Sequence, residues 1–306
     1  MAISSQGMIL LAVGAILMVV NTFFVGLRLY TRMFVTKSVR FNDALLVVAL
    51  IAYGALYGLI VMGVQGGIGG SILGTTINGI SSILKALFFL EIIYVVLTSA
   101  MKGSIALTFI HLSRSKILNS LFWASIGLDF AISAAFIIYL LVQCQPIDFA
   151  WRMLEPAAKG KCLPLTGQLY MGYALSIVTA VLDILLMVSP WIMMRGRGLN
   201  PRLKMYIAGV FGLGILATIA NIIRLVALVK LKGSSDQLAD AAPVFTWSAV
   251  EVSIGIVIAG LIELGPLAAK YGVKGFESYA ELDDQEVPMK NMTGFAPEYE
   301  MDSRKI

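Results

Sequence analysis

The run "MILLAVGAILMVVNTFFVGLRLY", Met8 to Tyr30, decides the fold. A helix rises 1.5 Å per residue, so about 20 apolar residues cross a hydrocarbon core of roughly 30 Å. The competing reading is a secretory leader. A leader carries basic residues ahead of a shorter apolar run and a small-residue cleavage site after it. Here "MAISSQG" precedes the run without a Lys or Arg, and no such site follows. The run is therefore expected to remain as a membrane span.

Working outward, six further runs have the same character: Asp43–Val64, Leu84–Ile110, Leu121–Val142, Leu169–Met194, Tyr206–Val229 and Val244–Leu267. The sequence predicts an all-α membrane protein, a bundle of seven transmembrane helices. Composition agrees, with 58% hydrophobic and 13% charged residues and a mean hydropathy of +0.87. Soluble domains carry about 25% charged residues. The net charge of +5 comes from basic residues clustered in short loops. That pattern orients a membrane protein and argues against a nucleic-acid partner.

Lys and Arg in short loops mark the cytoplasmic side. Arg32, Lys37 and Arg40 follow span one, Arg114 and Lys116 follow span three, and Arg195, Arg197, Arg202 and Lys204 follow span five. The loop after span two, "QGGIGGSILGTTINGISS", is uncharged. The N-terminus is then expected outside and the C-terminus in the cytoplasm. Lys230 and Lys232 on the outer side are offset by Asp236 and Asp240. From Tyr271 the chain turns polar and acidic, so residues 1–270 are expected to form the membrane domain and 271–306 a disordered tail. A glycan at Asn291 would overturn this orientation, because "NMT" in a cytoplasmic tail cannot be glycosylated.

Two cysteines, Cys144 and Cys162, share the loop after span four, on the oxidising side. A disulfide is expected there. "GVQGGIGG", Gly63–Gly70, follows a membrane helix and lacks a closing Lys-Ser/Thr, so it reads as a connection and not a phosphate loop. The single His111 lies at the inner end of span three, and without a second histidine no metal or cofactor site is expected. Phe88, Phe89, Trp123, Met187, Trp191 and Trp247 read as packing or lipid-facing residues. Pro190 is expected to kink span five.

Ionisable residues inside spans are costly and tend to face the bundle interior and pair. Counted from the outer helix ends, Glu91, Arg224 and Glu251 lie roughly 8–10 Å deep. Asp129 and Asp183 lie about halfway down, and Lys102 is deeper. Two polar layers follow: Arg224 with Glu251 and Glu91, and Lys102 with Asp129 and Asp183. Asp43 and Glu263, near the inner boundary, are expected to need no buried partner. Two accounts fit the layers. In one they are interhelical pairs that fix packing. In the other, the surplus acid facing Arg224 stays protonated in an apolar surrounding and serves as a general acid.

Several local patterns together resemble the fungal rhodopsin-domain integral membrane proteins, of the kind encoded in the satratoxin cluster. They are "RLYTR", "FNDALLVVAL", "EIIYV", "MKGSIAL", "QCQPIDFAW" with "KGKC", "LDILLMVSPWIMM", "NIIRLVAL" and "TWSAVEVSIGIVIAGLIELGPL". Together they cover most of residues 26–267. The resemblance implies a seven-helix bundle, recurring charged positions at Asp183, Arg224 and Glu251, and a loop disulfide between Cys144 and Cys162. Three positions depart from the family pattern: Asn42 beside Asp43, Gly103 between Lys102 and Ser104, and the turn Glu263-Leu264-Gly265-Pro266. Retinal opsins need a lysine in the last span, and Val244–Leu267 contains none.

Members of that family are known as receptor-like surface proteins and as membrane proteins of secondary-metabolite clusters. The expected function is accordingly to act on, or assist with, a lipophilic small molecule in the bilayer. A membrane-bound terpene cyclase is its most concrete form, with Glu91, Asp183 and Glu251 as catalytic candidates and Arg224, Lys102 and Asp129 binding or tuning. The alternative is a receptor-like protein signalling through its cytoplasmic loops and tail. Substrate and oligomeric state are not legible in the sequence.

Overall fold

The computed structural model describes residues 4–70, 77–113, 115–155, 158–194, 201–231 and 237–271. The tail from 272, Asn291, Arg114, Arg195, Arg197, Lys232 and Asp236 lie outside the described residues. Seven helices are long and apolar enough to cross a membrane.

Helix α1, Ser5–Tyr30, starts where the Ser4 hydroxyl accepts from the Gly7 N–H, and it runs on through a π-helical turn, Thr31–Val35. Next come α2, Phe41–Gly66, and α3, Ile77–Leu112. Helix α4, Lys116–Val142, is capped by Ser115. A two-stranded antiparallel hairpin follows, β1 (Cys144–Gln145) against β2 (Lys161–Cys162), with the short α5 (Phe149–Arg152) between its strands. The chain then forms α6, Leu165–Met194, α7, Pro201–Leu231, α8, Gln237–Ile262, and a terminal turn of helix α9, Gly265–Lys270.

Hydropathy placed the spans but not their ends. Helix α3 begins seven residues before Leu84, so Ile77–Ser82 belongs to a helix and not to the uncharged loop. Helix α8 begins before Val244 and tolerates Pro243 inside it. It stops at Ile262, short of Leu267, and Gly265 and Pro266 start a new short helix. Helix α2 likewise consumes the first half of the Gly-rich segment. Gly69 has a positive φ of 86°, and a Cβ there would meet the Ser4 hydroxyl at 2.9 Å. A glycine is needed where the chain leaving α2 crosses the start of α1.

The spans close into a ring in the order α1, α2, α3, α4, α6, α7, α8, with α3 and α8 packed deepest. In α8, 56% of the apolar stretch is buried; in α7 only 11% is. Large aliphatic and aromatic side chains such as Val19, Phe23, Ile117 and Phe130 face outward, a surface suited to lipid. One end of the bundle carries the hairpin and is called the hairpin end. The other carries Arg32, Lys37, Arg40, Lys116, Arg202 and Lys204 and is called the basic end.

Candidate functional site

Midway through the bundle, Arg224 of α7 meets Glu251 of α8, Nε to Oε2 at 3.0 Å. Asn221, one turn before Arg224, donates to Glu251 Oε1 at 2.9 Å, and the Tyr94 hydroxyl donates to Oε2 at 3.1 Å. Arg224 also stacks over the Tyr94 ring, 5.1 Å from its centroid, and donates to the Ser176 hydroxyl at 3.4 Å. Lys102 of α3 pairs with Asp183 of α6 at 2.9 Å and donates to the Thr179 carbonyl at 3.1 Å. Two of the expected pairs therefore form.

Two expected contacts do not. Glu91 does not join Arg224: it accepts from the Gln168 amide at 2.8 and 3.1 Å, and Gln168 in turn accepts from Gln143 at 2.8 Å. Depth alone placed Glu91 level with Arg224. Its position around α3 turns it toward α6, where a neutral amide meets it. Asp129 is buried but makes no ion pair with Lys102. Nearby, Ser99 hydrogen-bonds the Ser133 hydroxyl at 2.9 Å, while Asp129 Oδ1 has no hydrogen-bond partner among the described residues. Lys102 lies within electrostatic reach of Asp129 while it holds Asp183.

The two supposed layers are one cluster. Lys102, Asp183 and Glu251 line the same cavity, of about 60 Å³, which is otherwise walled mainly by apolar side chains of α3, α6, α7 and α8. Met187, expected only to pack, is one of those walls, as is Pro190. Pro190 stays inside a continuous helix but cannot donate to the carbonyl four residues earlier, which leaves Leu186 without that bond. Lys102 and Arg224 thus stand against Asp183, Glu251 and Asp129. Charges taken out of water are costly, and here two cationic side chains meet three acidic ones.

At the basic end the structure holds a network that sequence reading missed. Asp43 and Glu263 both have buried partners, contrary to expectation. Arg28 donates from Nε to Asp43 Oδ1 at 2.8 Å, from Nη1 to the Ala259 carbonyl at 2.6 Å and from Nη2 to the Thr108 hydroxyl at 3.5 Å. Arg32 donates to Glu263 Oε2 at 2.5 Å, and the two pairs cross-link at 3.8 and 3.9 Å. Asn42 donates to Thr108 at 2.8 Å, and Ser104 donates to the Asn42 carbonyl. Arg32 is therefore a buried anchor, not a loop charge. The π-helical turn carries it inward. The available signal was Arg28 itself, inside the first apolar run and four residues before Arg32, which puts both on one helix face.

At the hairpin end, Cys144 and Cys162 form the expected disulfide, directly opposed across β1 and β2. Trp151 packs against Phe88 and Phe89, and Lys85 lies over its ring. Arg152, exposed in the same loop, is held above its ordinary pKa by hydrogen bonds to Glu155 and Asp148. His111 is exposed and contacts the Leu107 carbonyl. Among the described residues no group of three or more His, Cys, Asp or Glu could hold a metal.

No solved structure matches the chain. A curated relative, "Fugralins biosynthesis cluster protein 2" of Gibberella zeae, is 28% identical over 148 residues, 46% of this chain and 35% of that protein. The chain thus matches only about a third of that relative's length. The fungal rhodopsin domain model matches residues 27–270, from the end of α1 through α9, and so takes in both buried charge clusters. The chain belongs to the fungal rhodopsin domain family and is a multi-pass membrane protein.

Proposed function

We propose that the protein serves fungal secondary metabolism by receiving a lipophilic intermediate from the bilayer into its mid-bundle cavity. The observation that carries this reading is the cavity itself: charged side chains of three helices meet in one apolar chamber beside the α6–α7 seam. The named relative belongs to a biosynthesis cluster, which supports a pathway role. We also infer that the basic end faces the cytoplasm and the hairpin end the outside, on the distribution of Lys and Arg.

Within this reading, the chemistry available to the cluster is proton transfer. A carboxyl group gives its proton to an epoxide oxygen or an olefin of the intermediate, which becomes a cation. A neighbouring double bond supplies the electron pair that closes a ring, and loss of a proton from the product cation restores the carboxyl group. The net change is an isomerisation, so no oxidant or cofactor is consumed. Asp183 and Glu251 line the cavity, which favours them for this role, while Glu91 lies outside it against Gln168.

The test is complementation. A producing strain lacking the gene should accumulate a linear precursor, and the wild-type protein should restore product. Asp183→Asn and Glu251→Gln should insert normally but fail to restore it. Full restoration by both variants would remove the acid chemistry. A deletion strain with an unaltered metabolite profile but a lost response to an external compound would favour the receptor reading.

A further inference from the structure

Four residues of the cavity form two matched pairs. Met101 of α3 rests on Gly255 of α8, and Met187 of α6 rests on Gly214 of α7; all four line the chamber. The fit is tight in both cases. A Cβ on Gly214 would come within 2.9 Å of Met187 Cγ, and one on Gly255 would overlap the Met101 thioether, with its methyl at 2.7 Å. The two glycines are where the thioethers are seated, and the remaining space is about 60 Å³. That volume suits a few waters and is far too small for a fused ring system.

Methionine is the apolar side chain best suited to a movable wall. It is unbranched, has three rotatable bonds and repacks at little cost. The two pairs also sit on different walls. Met187 and Gly214 line the seam between α6 and α7, the side toward lipid: Gly209 and Gly212, nearby on α7, have only open space where a Cβ would be, and Trp191 on α6 is exposed. Met101 and Gly255 line the interior wall between α3 and α8. The charged floor is next to the interior pair, because Lys102 follows Met101 directly.

We propose that Met187 and Met101 are the specificity-determining walls of this site, and that its occupant is a flexible, slender lipophilic chain with an oxygenated head. Met187 yields to admit the chain through the α6–α7 seam, and Met101 sets how far the chain extends past Lys102. A slender chain follows from the geometry: it can displace two thioethers in turn, whereas a rigid polycycle would have to displace whole helices. The head follows from Lys102 and Asp183, which offer both a donor and an acceptor at the chamber wall. This inference rests on the proposed lipophile-binding function and adds the length selectivity.

The experiment is a binding series with the full chain in lipid nanodiscs, using geraniol, farnesol and geranylgeraniol as probes. Wild-type protein should bind at least one of them and rank the three by length. Met101→Ala and Met187→Ala should each raise affinity for the longest alcohol relative to the shortest by about tenfold, the scale of methylene-sized changes in an apolar pocket. Gly214→Ala and Gly255→Ala push the thioethers into the chamber and should shift the ranking the other way. Met→Leu at each position, which keeps the volume, should leave the ranking near wild type. Binding with an unmoved ranking in both Met→Ala variants overturns the methionine walls while leaving the site intact. No binding by wild type or any variant overturns the lipophile site and the walls with it.

Discussion

The two buried charge clusters differ in balance and in access. At the basic end, Arg28 and Arg32 face Asp43 and Glu263 one for one, and Thr108 and the Ala259 carbonyl take up further donors. Arg28 and Asp43 are fully buried, and Arg32 and Glu263 nearly so. In mid-bundle, two cations face three carboxyl groups, one Asp129 oxygen lacks a hydrogen-bond partner among the described residues, and a chamber opens beside the pairs. Residues of similar type therefore make a clasp in one place and a chamber wall in the other. Charge balance and the adjoining chamber separate the two, since each holds one buried oxygen without a hydrogen-bond partner among the described residues, Asn42 Oδ1 and Asp129 Oδ1.

That difference can be broken by mutation, and the largest effect belongs to the clasp. Arg28→Met strips Asp43 of its closest partner inside a closed network, and removing one member of a buried pair costs about 3–5 kcal/mol. Unfolding in detergent should show this loss, with a matching fall in the folded yield. Replacing Arg28 and Asp43 together with apolar residues should recover much of it, because no lone charge then remains.

Next in size is the disulfide. Cys144→Ser with Cys162→Ser frees a loop whose ends are 18 residues apart, a constraint worth about 3 kcal/mol in chain-entropy terms. Thermal unfolding with and without reductant should show the loss in the wild type under reductant and no further loss in the double variant.

Glu251→Gln should destabilise less than Arg28→Met, by about 1–3 kcal/mol, the cost of leaving a partly satisfied buried donor. Arg224 keeps Ser176 and Tyr94, and the amide still accepts from Asn221. A loss as large as that at Arg28 would make the mid-bundle pair a clasp too. The smallest effect is expected at Glu91→Gln, below about 1 kcal/mol, because its partner Gln168 is neutral and an amide can replace the carboxylate. Ligand binding should be unchanged in that variant, since Glu91 lies outside the chamber.

The seven spans were legible because length and hydropathy are set by the bilayer. The Arg224–Glu251 and Lys102–Asp183 pairs were legible because charges in apolar runs must find partners at matching depth. Depth does not reveal which way a side chain faces, so Glu91 was grouped with the wrong partner. The clasp escaped because counting Arg32 as a loop charge presumes that the helix ends at Tyr30. The π-helical turn extends it and turns Arg32 toward Glu263. The chamber was not legible at all. It arises from glycines that seat methionines across helix boundaries, and no spacing within one helix encodes that.

The central claim is that the mid-bundle cluster is an accessible site and the basic-end cluster is sealed. Both native cysteines are held in the disulfide, so an introduced cysteine is the sole free thiol among the described residues. Ala217→Cys, in the chamber wall, and Thr108→Cys, in the clasp, should be labelled with a small maleimide in nanodiscs. The account predicts that position 217 labels and that farnesol protects it, while position 108 stays unlabelled in folded protein. Equal labelling at both positions, or labelling at 217 that farnesol does not slow, would contradict it.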